Sequence, residues 1–156
     1  MSTKHNDPAY VYEQTGVVTG AVITDSPLES LAAQACADTR THAMGALVRF
    51  EGIVRDHDGG HSVATLAYEA HPSAPEELKR VAAEVADAHP VRVYTAHRTG
   101  EVPIGELAFL VVVASAHRGE AFTACTEVAD RVKTEVPIWK KQGLTSGETQ
   151  WVGIDE

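Results

Sequence analysis

The run from Leu107 to Ala114 (Leu-Ala-Phe-Leu-Val-Val-Val-Ala) has no polar side chain in either of its alternating sets. A strand with one wet face alternates apolar and polar residues; one apolar throughout is covered on both faces. This segment is therefore predicted to be a central strand with packed layers above and below it. The rest of the chain has to supply those layers.

The flanking patterns supply them. Val17 to Thr24 is rich in β-formers and predicts the first strand. Ser26-Pro27-Leu28-Glu29 places serine at N-cap, proline at N1 and glutamate at N3, a helix start. That helix carries Leu28, Leu31, Ala32 and Ala35 on one face and ends near Asp38. Gly45 to Arg55 predicts a long strand, Asp56 to His61 a glycine-rich turn, and Ser62 to Ala70 the returning strand of a β-hairpin. Ser73 and Glu76 repeat the capping pattern before a second helix with Leu78, Val81, Ala82 and Val85 inward, stopped by His89-Pro90. Val91 to Arg98 predicts another strand. After the central strand, a third helix runs to about Glu135 and is expected to bury Phe122, Cys125, Val128 and Val132. Gln142 to Thr149 reads as a polar loop before a short strand at Trp151 and Val152. Helices and strands alternate, yet a hairpin is expected, so the class is α+β: a single domain over 17–156 with an antiparallel or mixed sheet and about three helices. Residues 1–16 read as a flexible tail.

Composition narrows the function. The formal net charge of -9 and pI near 5.3 argue against nucleic acid and against an anionic membrane surface. The two cysteines, Cys36 and Cys125, are far apart in sequence, which fits a reducing cytoplasm better than a disulfide scaffold. No apolar run reaches the roughly 18–20 residues of a membrane span. The eight histidines include no H-E-x-x-H and no His/Cys cluster, so neither a metal site nor a metal cofactor is expected. Gly59 and Gly60 follow no nucleotide-binding spacing.

Against the acidic background, cations gather at three element ends. Arg55 ends the long strand. His117 and Arg118 open the third helix, where free N–H groups favour an anion. Lys133-Thr-Glu-Val-Pro-Ile-Trp-Lys-Lys141 sets Lys133, Lys140 and Lys141 around Pro137, which cannot continue a helix and forces the chain to turn. Lysines on either side of such a turn can converge on one anion. Lys133 borders the apolar stripe, so partial shielding is expected, a setting that favours a lysine acting as base or nucleophile.

These residues resemble one family, the catalytic, larger subunit of molybdopterin synthase. The resemblance rests on Phe50-Glu-Gly-Ile-Val-Arg55, Tyr68-Glu69-Ala70, His97-Arg-Thr-Gly-Glu101 with Gly105-Glu106, Ser115-Ala-His-Arg118, Ala121-Phe122, the Lys133–Lys141 segment and Trp151-Val152. It implies an α/β-hammerhead-like fold and a homodimer. Each protomer would carry a small ubiquitin-like sulfur-carrier subunit, giving a 2:2 heterotetramer. The carrier's Gly-Gly tail, as a thiocarboxylate, would transfer sulfur to cyclic pyranopterin monophosphate (precursor Z), forming the dithiolene of molybdopterin without a further cofactor. By the same resemblance Lys133 and Lys140 are the catalytic lysines. Substrate binding falls to Ile53, Val54, Arg55, His117, Arg118, Lys133, Lys140, Lys141 and Gln142. Gln142 stands where the family often has glutamate, and His71 where it often has tyrosine; both are expected to tune activity. The alternative is a non-catalytic anion-binding or carrier-docking module.

Overall fold

A computed structural model describes residues 8–153. In chain order the elements are α1 (Pro8–Tyr12), β1 (Val17–Thr24), a 3₁₀ turn (Leu28–Ser30), α2 (Ala32–Thr39), β2 (Ala46–Ile53), β3 (His57–Asp58), β4 (His61–Ala70), α3 (Ala74–Ala88), β5 (Arg92–Arg98), β6 (Gly100–Glu101), β7 (Leu107–Ser115), α4 (Arg118–Glu135), β8 (Ile138–Leu144) and β9 (Thr149–Val152). The α+β class is as expected. Within the span read as a tail, residues 1–7 lie outside the described residues, Pro8–Tyr12 is helical, and the Gly16 N–H donates to the Val91 carbonyl.

One sheet has the order β1-β5-β7-β2, with β1 and β5 parallel and the other pairs antiparallel. β7 is interior, as its apolar run requires. Val111 and Val113 face a core with α3 and α4, including Leu78, Val81, Val85, Val128 and Val132. Leu110 and Val112 face a second core with Leu28, Ala32, Ala35 and Tyr94. The second sheet runs β3-β4-β8-β9, with β6 also on β4.

The long hairpin expected from Gly45 to Ala70 does not form. β2 pairs along its length with β7, and only His57–Asp58 folds back on His61–Ser62. The chain changes sheets between Ile53 and His57. Buried Val54 fixes that crossing: its N–H donates to the Glu106 carbonyl, and its own carbonyl accepts from Gly105 N–H. Alternation gave each strand's faces but not its neighbour.

Both expected capping boxes are also absent. The first helical segment begins as a 3₁₀ turn, and Glu29 instead accepts the Leu107 N–H at 2.8 Å, tying that turn to the central strand. Ser73 makes no cap bond because its hydroxyl pairs with His71 Nδ1 at 2.8 Å. Phe122 is 58% exposed; the inward stripe of α4 is Ala121, Ala124, Cys125, Val128 and Val132, and Phe122 lies about 100° round the helix from Ala121. The segment Gln142–Leu144, read as loop, continues β8, so the loop itself spans only 145–148.

Candidate active site

Residues of both sheets and of the end of α4 line a cavity of about 360 Å³. Its size falls within the range of small-molecule sites. β2 contributes Phe50, Gly52 and Ile53; β4 gives Tyr68; β5 gives His97; β7 gives Phe109; α4 gives Lys133; β8 gives Lys140. Lys133 and Lys140 are thus brought to one hollow by the turn at Pro137. Lys133 stands in the last turn of α4 and is exposed rather than shielded. Its ammonium, at a helix C-terminus, is favoured by the dipole and free to meet an incoming anion.

Strand alternation separates the remaining residues of β8. Lys140 lies opposite Tyr68 and faces the cavity. Lys141 faces the other way, with Nζ 5.5 Å from the Trp151 ring centroid, in a smaller groove with Glu101 and Thr149. Gln142 returns to the first face but is buried, and its Nε2 donates to Gln150 at 3.0 Å.

Arg55 and Lys140 meet through a residue that sequence reading passed over as a turn. Asp58 accepts from Lys140 Nζ at 3.2 Å on Oδ2 and from Arg55 at 3.5 Å on Oδ1. Burial raises the Asp58 pKa, but hydrogen bonding and charge from Lys140, with Gln142 and Arg55 adding, hold it below the ordinary carboxylate value. The carboxylate is therefore a fixed counter-ion. No sequence signal links Asp58 to a lysine 82 positions later.

Ile53 lines the cavity, whereas Val54 points into a small core with Leu66, Val102 and Ala108. His117 and Arg118 are not in the cavity of the same chain. They are exposed at the first turn of α4, and Lys133 lies about 22 Å further along that helix axis, at 1.5 Å per residue. Neither side chain has a hydrogen-bond or ion-pair partner among the described residues.

Two aromatic groups form the inner wall. Tyr68 is held neutral, its phenol pushed up to about 12 by burial and the Asp58 charge. His97 is wedged between Tyr68 and Phe109. The buried Cys125 thiol is pushed up to about 11 and lies outside the cavity, which leaves it inert as a nucleophile. No group of three or more potential metal ligands occurs among the described residues. No helix among them is long and apolar enough to cross a membrane.

The profile of the MoaE protein family matches residues 23–135. Over 136 residues the chain is 42% identical to "Molybdopterin synthase catalytic subunit 1" of Mycobacterium tuberculosis, covering 84% of this chain and 88% of that protein. It is 41% identical over 124 residues to "Molybdopterin synthase catalytic subunit" of Pyrococcus abyssi, covering 78% and 83%. Its fold superposes on a crystal structure of molybdopterin synthase from Staphylococcus aureus with a TM-score of 0.77 and 32% identity, over 84% of this chain and 95% of that one.

Proposed function

The chain belongs to the MoaE protein family, and on that premise we propose that it is the catalytic subunit of a molybdopterin synthase, moving sulfur from a carrier thiocarboxylate onto precursor Z. The observation that carries the reading is one cavity bordered by both Lys133 and Lys140, from different elements, on a protein of net charge -9. Donor and acceptor are both anions. Their approach costs Coulomb energy, which fixed ammonium groups offset at the point of reaction. Apolar walls from Phe50, Ile53 and Phe109 suit a flat heterocycle and strengthen those charges by excluding water.

In this reading Lys133 meets the carrier's tail and moves protons or stabilises charge during sulfur transfer. Lys140, oriented by Asp58, meets the substrate with Arg55 at the rim. Ile53 packs on the substrate, while Val54, Lys141 and Gln142 support the walls from behind.

The carrier is a small ubiquitin-like subunit whose Gly-Gly tail enters beside Lys133. The assembly is a homodimer with one carrier per protomer. Exposed Phe50 and Ile53 on the free edge strand β2, and exposed Phe122 on α4, support a buried contact there. A second copy could then bring its His117 and Arg118 to the cavity that a single chain leaves without them. Residues 17–156 form the working domain, and the free thiols of Cys36 and Cys125 fit a cytoplasmic setting.

The test is turnover: the protein mixed with thiocarboxylated carrier and precursor Z, with the pterin product weighed by mass spectrometry. A gain of two sulfurs is expected. Saturable binding of both partners without dithiolene would mark a non-catalytic anion-binding or docking module instead.

A further inference from the structure

His97 is the penultimate residue of β5, and it lines the cavity although only 8% of the residue is exposed. Tyr68 meets the ring edge-on at a centroid distance of 4.8 Å, and Phe109 stacks at 5.5 Å with planes 28° apart. Its Nδ1 lies 2.8 Å from the Arg98 carbonyl oxygen. A carbonyl can only accept, so Nδ1 carries the proton and Nε2 presents a lone pair.

That lone pair has no hydrogen-bond partner among the described residues. Nor is it sealed away, because the one fully enclosed side-chain nitrogen or oxygen without a partner among them is Arg98 Nε. Nε2 is therefore not fully enclosed, on a residue that borders the cavity. Burial, acting against the Arg98 hydrogen bond, pushes the imidazole down to about 4, so it is uncharged at neutral pH. The other polar side chains of the inner wall, Lys140 and Tyr68, offer donors. Asp130, also on the cavity border, is exposed on α4.

We propose that His97 is a substrate-binding residue whose Nε2 accepts a hydrogen bond from a ring N–H or amino group of the heterocycle, while the lysines hold the anionic groups. The inference rests on the synthase reading and deepens it. Ammonium groups attract an anion from many directions, whereas a rigid acceptor of fixed tautomer selects one edge of the ring. A substrate lacking a donor at that edge would leave Nε2 unpaired.

His97→Phe keeps a flat ring between Tyr68 and Phe109 and removes the acceptor; His97→Gln restores an acceptor oxygen. His97→Phe is expected to raise KM for precursor Z about tenfold, with unchanged carrier affinity, and His97→Gln to recover most of the loss. In wild-type protein, the imidazole ¹⁵N signals should show the Nδ1–H tautomer. Precursor Z should move the Nε2 signal selectively, a readout that needs no variant to fold. Wild-type turnover with an unaltered KM in His97→Phe, or an Nε2 signal indifferent to precursor Z, overturns this inference alone. Wild-type protein that makes no dithiolene overturns the synthase reading and this inference with it.

Discussion

Lys140 donates a hydrogen bond to Asp58 across 3.2 Å, joining the second-sheet strand that carries the lysine to the turn that follows Arg55. The pair is about three-quarters buried on each side. An anion entering the cavity must compete with Asp58 for Lys140. Asp58→Asn keeps an acceptor and removes the competing charge. Affinity for precursor Z, measured calorimetrically, should rise about fivefold, the worth of ~1 kcal/mol for a partly exposed pair. Equal or weaker binding would show that Asp58 does not oppose the substrate.

Alternation along β8 makes a sharp contrast between adjacent lysines. Lys140→Ala should lower kcat/KM at least a hundredfold if it faces the developing charge. Lys141→Ala, which loses its contact with Trp151, should stay within about fivefold, since an exposed cation–π pair is worth about 0.5–1 kcal/mol. Comparable losses in both would mean that the strand's orientation is not the one used in catalysis.

Much of this arrangement was legible in the residues. β1 spans the predicted Val17–Thr24, the all-apolar run is the interior strand, and α4 ends at Glu135 before Pro137. Those features depend on local pattern. Pairing does not: β2 reads equally well beside β4 or β7, and only the tertiary fold chooses β7. Gln142 and Gly143 read as loop because polar residues are poor strand formers, yet β4 on one side and β9 on the other satisfy their backbone. Lys133 and Lys140 were found because a proline forces their convergence. Asp58 reads as part of a turn and His97 as part of a resemblance motif, and neither has a site role in the sequence, because those roles come from partners distant along the chain.

Gly20 is a position where tertiary packing explains a residue that weakens a strand. A Cβ there would lie 2.5 Å from the nearer edge of the Tyr94 ring, which packs against β1 at this position. Gly20→Ala should destabilise by about 1–3 kcal/mol through displacement of that ring. Urea denaturation measures it; a change below about 0.5 kcal/mol would mean the ring moves freely.

Acid should weaken the α3–α4 ion network. Arg131 donates to Glu135 at 2.6 Å and Arg80 reaches it at 3.2 Å. The Arg131 hydrogen bond, opposed by burial and aided by Arg80, holds the Glu135 carboxyl at about 2 rather than 4.5. A lowered folded-state value stabilises above the unfolded value and is lost as pH falls from 4.5 toward 2. With the glutamate side chain 34% exposed, screening keeps the effect under about 1 kcal/mol. Glu135→Gln should lower Tm by roughly 2 °C at pH 7 and make no difference near pH 2.

Lys133 is the group best placed to meet the sulfur donor, because it has an exposed ammonium at the cavity border. The direct measurement is the mass of the pterin formed from precursor Z and thiocarboxylated carrier by wild-type, Lys133→Ala and Lys133→Arg proteins. A product with two added sulfurs is expected from wild type, and at least a hundredfold less of it from Lys133→Ala at unchanged Tm. Near-wild-type yields from both variants would contradict this expectation.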